Sequence, residues 1–283
     1  MRLKLHFLIP AAILIAGCAP TPDDYPGEPN VYALITADST HAHLMVGRTV
    51  SVADTLPVDT IVDTFWIDDS TFETWTYYQI PWNGTSNADV ILESGGDNFT
   101  LTEHPDSQGY YFADITAPRA GQSWTLKVTY PEGEEISART TIPGNFEITG
   151  PDNDTLTEDD TVRWTASDGA RGYQVSILQW LTYEEEDTAS VEFISWPLLV
   201  SADTLSVPLS DMGFSPMGDS VCIYIISLDT NAYDYKYYGE NMWMVENIVD
   251  CMHIEGAWGV FGAGNVVRSK TFSMDTSAIL PGQ

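Results

Sequence analysis

His41 and His43 form an H-x-H pair, and on a strand both imidazoles share one face. A zinc site needs a third protein ligand, and His104 and His253 lie in unrelated segments, so the pair reads as exposed strand histidines. Asp152, Asp154, Glu158 and Asp160 gather in PDNDTLTEDD, an oxygen cluster of the kind calcium takes. Thr157 stands where a calcium-binding EF-hand loop requires its turn glycine, so this loop reads as a solvated turn. Two aromatic runs, FETWTYYQIPW and AYDYKYYGENMWM, carry rings that can stack on a sugar or a peptide. Trp75, Tyr77, Trp82 and Trp243 are the candidate ligand-binding residues, although aromatics are also ordinary strand formers. GVFGAGN, residues 259–265, lacks the Gly-Lys-Ser/Thr ending of a phosphate cradle and runs into a strand pattern. Its glycines read as permitting a tight bend or bulge. GFSPMG misses the spacing of a serine nucleophile elbow. With 41 Asp and Glu, a carboxylate pair somewhere is unavoidable and carries no information. The expectation is a binding protein without catalytic residues, bound metal or cofactor.

The elements that must position these residues follow a period of two. In SWTLKVTY, Trp124, Leu126, Val128 and Tyr130 point one way while Thr125, Lys127 and Thr129 point the other. ADVILES and GYQVSILQW alternate likewise, and VCIYIISL is apolar on both faces, as a central strand is. SGGDN, PDSQG, APRAGQ, PEGEE and SDGARG supply turns at short spacing. One departure is Tyr233–His253, where Met242, Val245 and Val249 fall at helical spacing. Pro143-Gly144 breaks the pattern before a new alternation begins at Phe146. The expected fold is all-β: an Ig-like β-sandwich over 31–145 and a fibronectin type III-like one over 146–283. The stretch DDTVRWTASDGARGYQVSIL, a Trp strand, a polar turn and a Tyr-x-Val-x-Ile strand, looks like the region between the second and third strands of a fibronectin type III module. Cys222 and Cys251 are candidates for a disulfide that would close a loop worth about 3 kcal/mol.

The N-terminus has a basic head, Arg2 and Lys4, then the apolar run FLIPAAILIA, too short for the ~20 residues a membrane span needs. It ends in Ile15-Ala16-Gly17-Cys18, which resembles the bacterial lipobox, where cleavage precedes a cysteine that is then acylated. Residues 1–17 are thus expected to be a lipoprotein signal peptide, Cys18 the lipidated residue, and 18–30 a Pro-rich spacer. Two or more acyl chains hold a bilayer durably where one does not. Without Arg2 and Lys4, nine Lys and Arg face 41 Asp and Glu, a formal charge of −32. Such a surface repels nucleic-acid phosphates and anionic lipid alike, so the membrane contact falls to the lipid. The acids are dispersed and 43% of residues are hydrophobic, so the chain is a folded one and not an acidic tail.

Three segments in order resemble domain of unknown function 4249, a lipoprotein family of Bacteroidota. They are NVYALITADSTHAHLMVGRTV, then NADVILESGGDNFTLTEHPDSQGYYFADITAPRAGQSWTLKVTYPEGEEISARTTIP, then AYDYKYY with IEGAWGVFGAG. The resemblance implies a lipid-anchored cell-envelope protein, at the outer membrane, acting as an accessory near a TonB-dependent outer-membrane transporter. It carries over no catalytic residue. The alternative reading of the same chain is a surface carbohydrate-binding or adhesion module using the aromatic runs as its platform.

Overall fold

Alternation becomes a buried face wherever two sheets meet. In β8 (Ser123–Thr129), Trp124, Leu126 and Val128 are buried while Lys127 is exposed; in β9 (Glu135–Thr141) burial switches at every residue. The computed structural model describes residues 27–37, 39–50, 59–66, 72–79, 83–183, 189–194, 197–214, 220–239 and 251–274. Residues 1–17, the expected signal peptide, and Cys18 lie outside the described residues.

The first sandwich is built from β1 (Pro29–Thr36), β2 (His41–Arg48), β5 (Asp89–Ser94), β6 (Asp97–Glu103), β7 (Tyr110–Asp114), β8 and β9. β1, β2 and β7 form one sheet and β5, β8 and β9 the other, with β6 passing from β5 to β7. Val31, Ala33, Ile35, Leu44 and Val46 from one sheet pack on Val90, Leu92, Trp124, Leu126 and Val128 from the other. Between them in sequence, β3 (Asp59–Trp66) and β4 (Phe72–Gln79) form a two-stranded sheet of their own.

The second sandwich opposes β10 (Ile148–Gly150), β12 (Thr161–Trp164) and β16 (Ser206–Pro208) to a larger sheet. That sheet holds β13 (Gly172–Tyr183), flanked by β14 (Ala189–Ile194) and β15 (Leu198–Ser201), then β17 (Ser220–Leu228) and β19 (Trp258–Met274), with β11 (Thr155–Leu156) beside the end of β19. Val162, Trp164 and Val207 meet Tyr173, Val175, Ile177, Ile223 and Phe272 in its core. The structure is therefore the all-β pair of sandwiches that the alternation predicts.

The apolar cores change over between Ile142 and Phe146, but the chain then returns. β18 (Ile254–Glu255) pairs with β9, and Ile254, Phe261 and Ala263 lie in the first core. The expected C-terminal unit 146–283 thus gives residues 254–263 to the N-terminal sandwich. β19 does this as one continuous strand: Trp258–Gly264 runs parallel to β1, and Gly264–Ser273 runs antiparallel to β17.

A helix does occur at the start of the stretch Tyr233–His253 that departs from strand spacing. α1 spans Thr230–Gly239, so the tyrosine run is helical, while Met242, Val245 and Val249, the residues at helical spacing, lie outside the described residues. α1 is held by its burial against Ile226 and Leu228 of β17, which is why that strand is apolar on both faces. Asp229 starts it: one carboxylate oxygen accepts the N–H groups of Ala232 (2.9 Å) and Ala263 (3.0 Å), and the other accepts the Thr140 hydroxyl. Burial pushes the Asp229 carboxyl up, opposed by those donors. Asn231 donates to the carbonyls of Arg139 (2.8 Å) and Phe261 (2.9 Å). One short turn therefore bonds both sandwiches.

Gly262 sits beneath α1, where a Cβ would come within 2.6 Å of the Ala232 Cβ. The glycine-rich run is accordingly a place of close approach along a strand. Gly262→Ala should cost about 1–3 kcal/mol by overpacking, read from the urea midpoint. Asp229→Ala should cost about 2 kcal/mol or more, because it removes a cap and strands buried donors.

Candidate binding groove

On the outward face of the first sandwich, the strand register places large apolar residues where polar ones are usual. Tyr32 of β1 pairs with Met45 of β2, which pairs with Tyr110 of β7. One step along, His43 pairs with Phe112, with Leu34 beside them in the same groove. The groove has a volume of about 570 Å³, within the ~300–1,000 Å³ of ordinary ligand sites. Tyr32, Tyr110 and Phe112 are 37%, 42% and 39% exposed, three of the four large hydrophobics this exposed among the described residues. Two strand spacings separate Tyr32 from Tyr110, about 10 Å between backbones, so their rings flank a slot floored by Met45.

Each wall is anchored. On the β1 side Tyr32 meets Tyr235 of α1 edge-on, with ring centres 5.8 Å apart. On the β7 side the turn 104–109 closes through the His104 N–H to the Tyr110 carbonyl (2.7 Å). Gly109 takes φ +76° there, with the Val46 carbonyl 2.4 Å from where a Cβ would stand. Only glycine fits that approach. Glu103 clamps the turn from behind, accepting the N–H of Gly109 (3.0 Å), the Ser86 hydroxyl (2.7 Å) and the N–H of Asn87 (3.1 Å). Desolvation pushes the Glu103 carboxyl up, but these donors together outweigh it and hold the pKa below the ordinary value. Beneath, the buried Tyr111 hydroxyl accepts the Ala88 N–H (2.9 Å) and donates to the Thr85 carbonyl (2.8 Å). None of the lining residues is Asp, Glu, Lys or Arg. The lining is built to meet an apolar surface.

The residues singled out from sequence fall in several places. Trp75 and Tyr77 lie on β4, in register with Asp63 and Ile61 of β3, while Trp82 and Trp243 lie outside the described residues. His41 accepts or donates at Nδ1 to Asp114 (2.8 Å), and His43 and His104 line the groove. In the acidic loop, Asp160 accepts from Thr157 and Asn153 and so holds the loop's own fold, while Asp154 pairs with Lys270 of β19. Cys222 and Cys251 are not joined. Cys222 on β17 sits opposite Thr271, whereas Cys251 adjoins Met252, whose sulfur accepts the Gly259 N–H. Those positions are about twelve residues of β19 apart, roughly 40 Å along a strand, and a bridge needs Cα atoms within about 7 Å. The groove itself had a signal in the sequence: β1, β2 and β7 carry large apolar residues on both phases of their alternation.

A clamp whose carboxyl pKa is lowered stabilises above the unfolded value and is lost as pH falls through the folded one. The amide resonances of Gly109 and Asn87 should therefore hold steady above about pH 5 and shift together below about pH 4. Glu103→Gln should abolish that joint titration, as observed by NMR.

The family model described as "Domain of unknown function (DUF4249)" matches residues 70–270. No curated protein matches the chain. Among solved structures it is similar to the chicken CNTN1 FN1–FN3 domains, at 13% identity over 72% of this chain and 94% of that one, with a TM-score of 0.21. A bacterial ice-binding adhesin aligns at 12% identity over 88% of this chain and 64% of that one, TM-score 0.17. The DIP-gamma IG1+IG2 structure aligns at 9% identity over 70% and 89%, TM-score 0.16.

Proposed function

We propose that this chain, which belongs to the DUF4249 family, is a non-enzymatic, lipid-anchored binding protein of the bacterial cell envelope. Lipid on Cys18 holds it at the outer membrane, and the Pro-rich spacer 18–30 sets the sandwiches off the bilayer. The groove over β1, β2 and β7 is its working surface, and the partner is another envelope protein, an outer-membrane transporter being the first candidate. One observation carries this reading: on a chain with 41 Asp and Glu, none of the described residues that line this exposed aromatic groove is a carboxylate. Interface centres are marked by Tyr, Phe and Met and by depletion of charge. Sugar recognition calls for several polar side chains beside a ring, and this lining supplies only Ser107, two imidazoles and the tyrosine hydroxyls.

The test uses the full chain in its native envelope. With a photocrosslinking amino acid in place of Phe112, a discrete adduct to an outer-membrane protein is expected. None should form from Glu158, on the second sandwich. Cys18→Ala should abolish palmitate labelling and move the protein to the soluble fraction. The absence of any adduct from position 112 or 110 would sink the groove as the working surface.

A further inference from the structure

We infer that the groove takes one apolar segment of its partner, laid along β2 by side-chain contacts and flanked by Lys or Arg; this rests on the groove being the partner-binding surface. Three observations carry it. First, β1 is bonded between β19 and β2, β2 between β1 and β7, and β7 between β2 and β6. Across the row Tyr32, Met45 and Tyr110 both ladders are closed, β1 to β2 over Pro29–Ala33 and β2 to β7 over His41–Met45, so an occupant lying over that row is held by side chains rather than added as a strand. Second, rings about 10 Å apart across Met45 leave room for a single row of side chains, not for a flat protein face or a whole helix.

Third, two exposed carboxylates stand at the edges of the slot. The floor runs from Met45 past His43 to His41, and the outward phase of β7 runs from Tyr110 past Phe112 to Asp114. The Asp114 side chain is 89% exposed, so the groove ends on a carboxylate held only by His41. Asp106 stands exposed on the turn that forms the β7 wall. Beyond them lies a chain of net charge −30, which attracts basic segments and repels acidic ones. An apolar lining inside an acidic rim is the complement of an apolar segment with basic ends.

The experiment uses three synthetic peptides, Lys-Lys-Leu-Phe-Leu-Lys-Lys and the same core flanked by serines or by glutamates, titrated into the full chain. The lysine peptide should bind tightest and the glutamate peptide weakest. Phe112→Ala should weaken the lysine peptide about tenfold, and Asp114→Lys about three- to fivefold while narrowing the gap between lysine and glutamate flanks. Both positions are exposed, and unchanged melting temperatures show that each variant folds. Equal binding of all three peptides, lost in Phe112→Ala, would leave the groove a binding surface but overturn the choice of basic flanks. A lysine peptide indifferent to Phe112→Ala is held by surface charge alone, which also overturns the inference. So does displacement of the peptide by sodium dodecanoate at a lower concentration than by the unlabelled lysine peptide, since the groove would then be a lipid site.

Discussion

β19 is hydrogen-bonded into both sandwiches, and most of the molecule's geometry follows from that sharing. A strand that leaves one sheet and enters another without a break cannot let the two sheets swing independently, because its ladder bonds would have to break in one of them. β1 can lie parallel to β19 only because the chain comes back to it from the far end of the second sandwich. The turn after β17 reinforces the arrangement. Asp229 and Asn231 bond to Thr140, Arg139, Phe261 and Ala263 within a few residues of the point where the strand changes sheets. Asn265 adds a bond to the Gly144 carbonyl at 3.0 Å, tying down the connection between the two cores.

The same joint sets one wall of the groove. α1 follows Asp229 directly and packs on β17 and β19, and its Tyr235 supports Tyr32. The opposite wall depends on local turn chemistry: Gly109, which alone tolerates the approach of Val46, and Glu103, which gathers three donors from the turn and the segment before β5. The groove is thus a surface with one wall fixed by long-range topology and the other by a six-residue loop. Its character is local too. β9 presents Glu135, Ser137 and Arg139 outward, as an ordinary solvated sheet does, whereas β1, β2 and β7 present Tyr32, Met45, Tyr110 and Phe112. Exposing such rings costs solvation free energy, which is the ground for proposing a partner that covers them.

Much of the fold was legible because strand burial has a period of two and these strands obey it. Trp124, Leu126 and Val128, or Tyr173, Val175 and Ile177, show their inward faces without any knowledge of their neighbours. The place where the core changes over, near Pro143-Gly144, was legible for the same reason. The helix was legible only in outline: the departure from strand spacing was read over Tyr233–His253, but AYDYKYY is helical because Asp229 caps it and β17 buries one side, which no spacing displays. The cysteine pair misled through sequence proximity, which says nothing about a strand long enough to hold the two at different ends of the molecule. The aromatic clusters drew notice by density, but the exposed rings of the groove are scattered over β1 and β7, some eighty positions apart in sequence and neighbours only through β2.

By itself the sequence determined the all-β character, the buried phase of each strand, the acidic surface and the family to which the chain belongs. These depend on local periodicity, on composition and on short ordered motifs, all of which a linear string displays. Tertiary structure alone decided that β19 serves two sandwiches, that α1 stands beside β1, and that Tyr32, Met45 and Tyr110 form one row. Strand pairing between distant segments is settled by burying both faces of a sheet at once, and that balance of packing and hydrogen bonding is written in no single stretch of the chain.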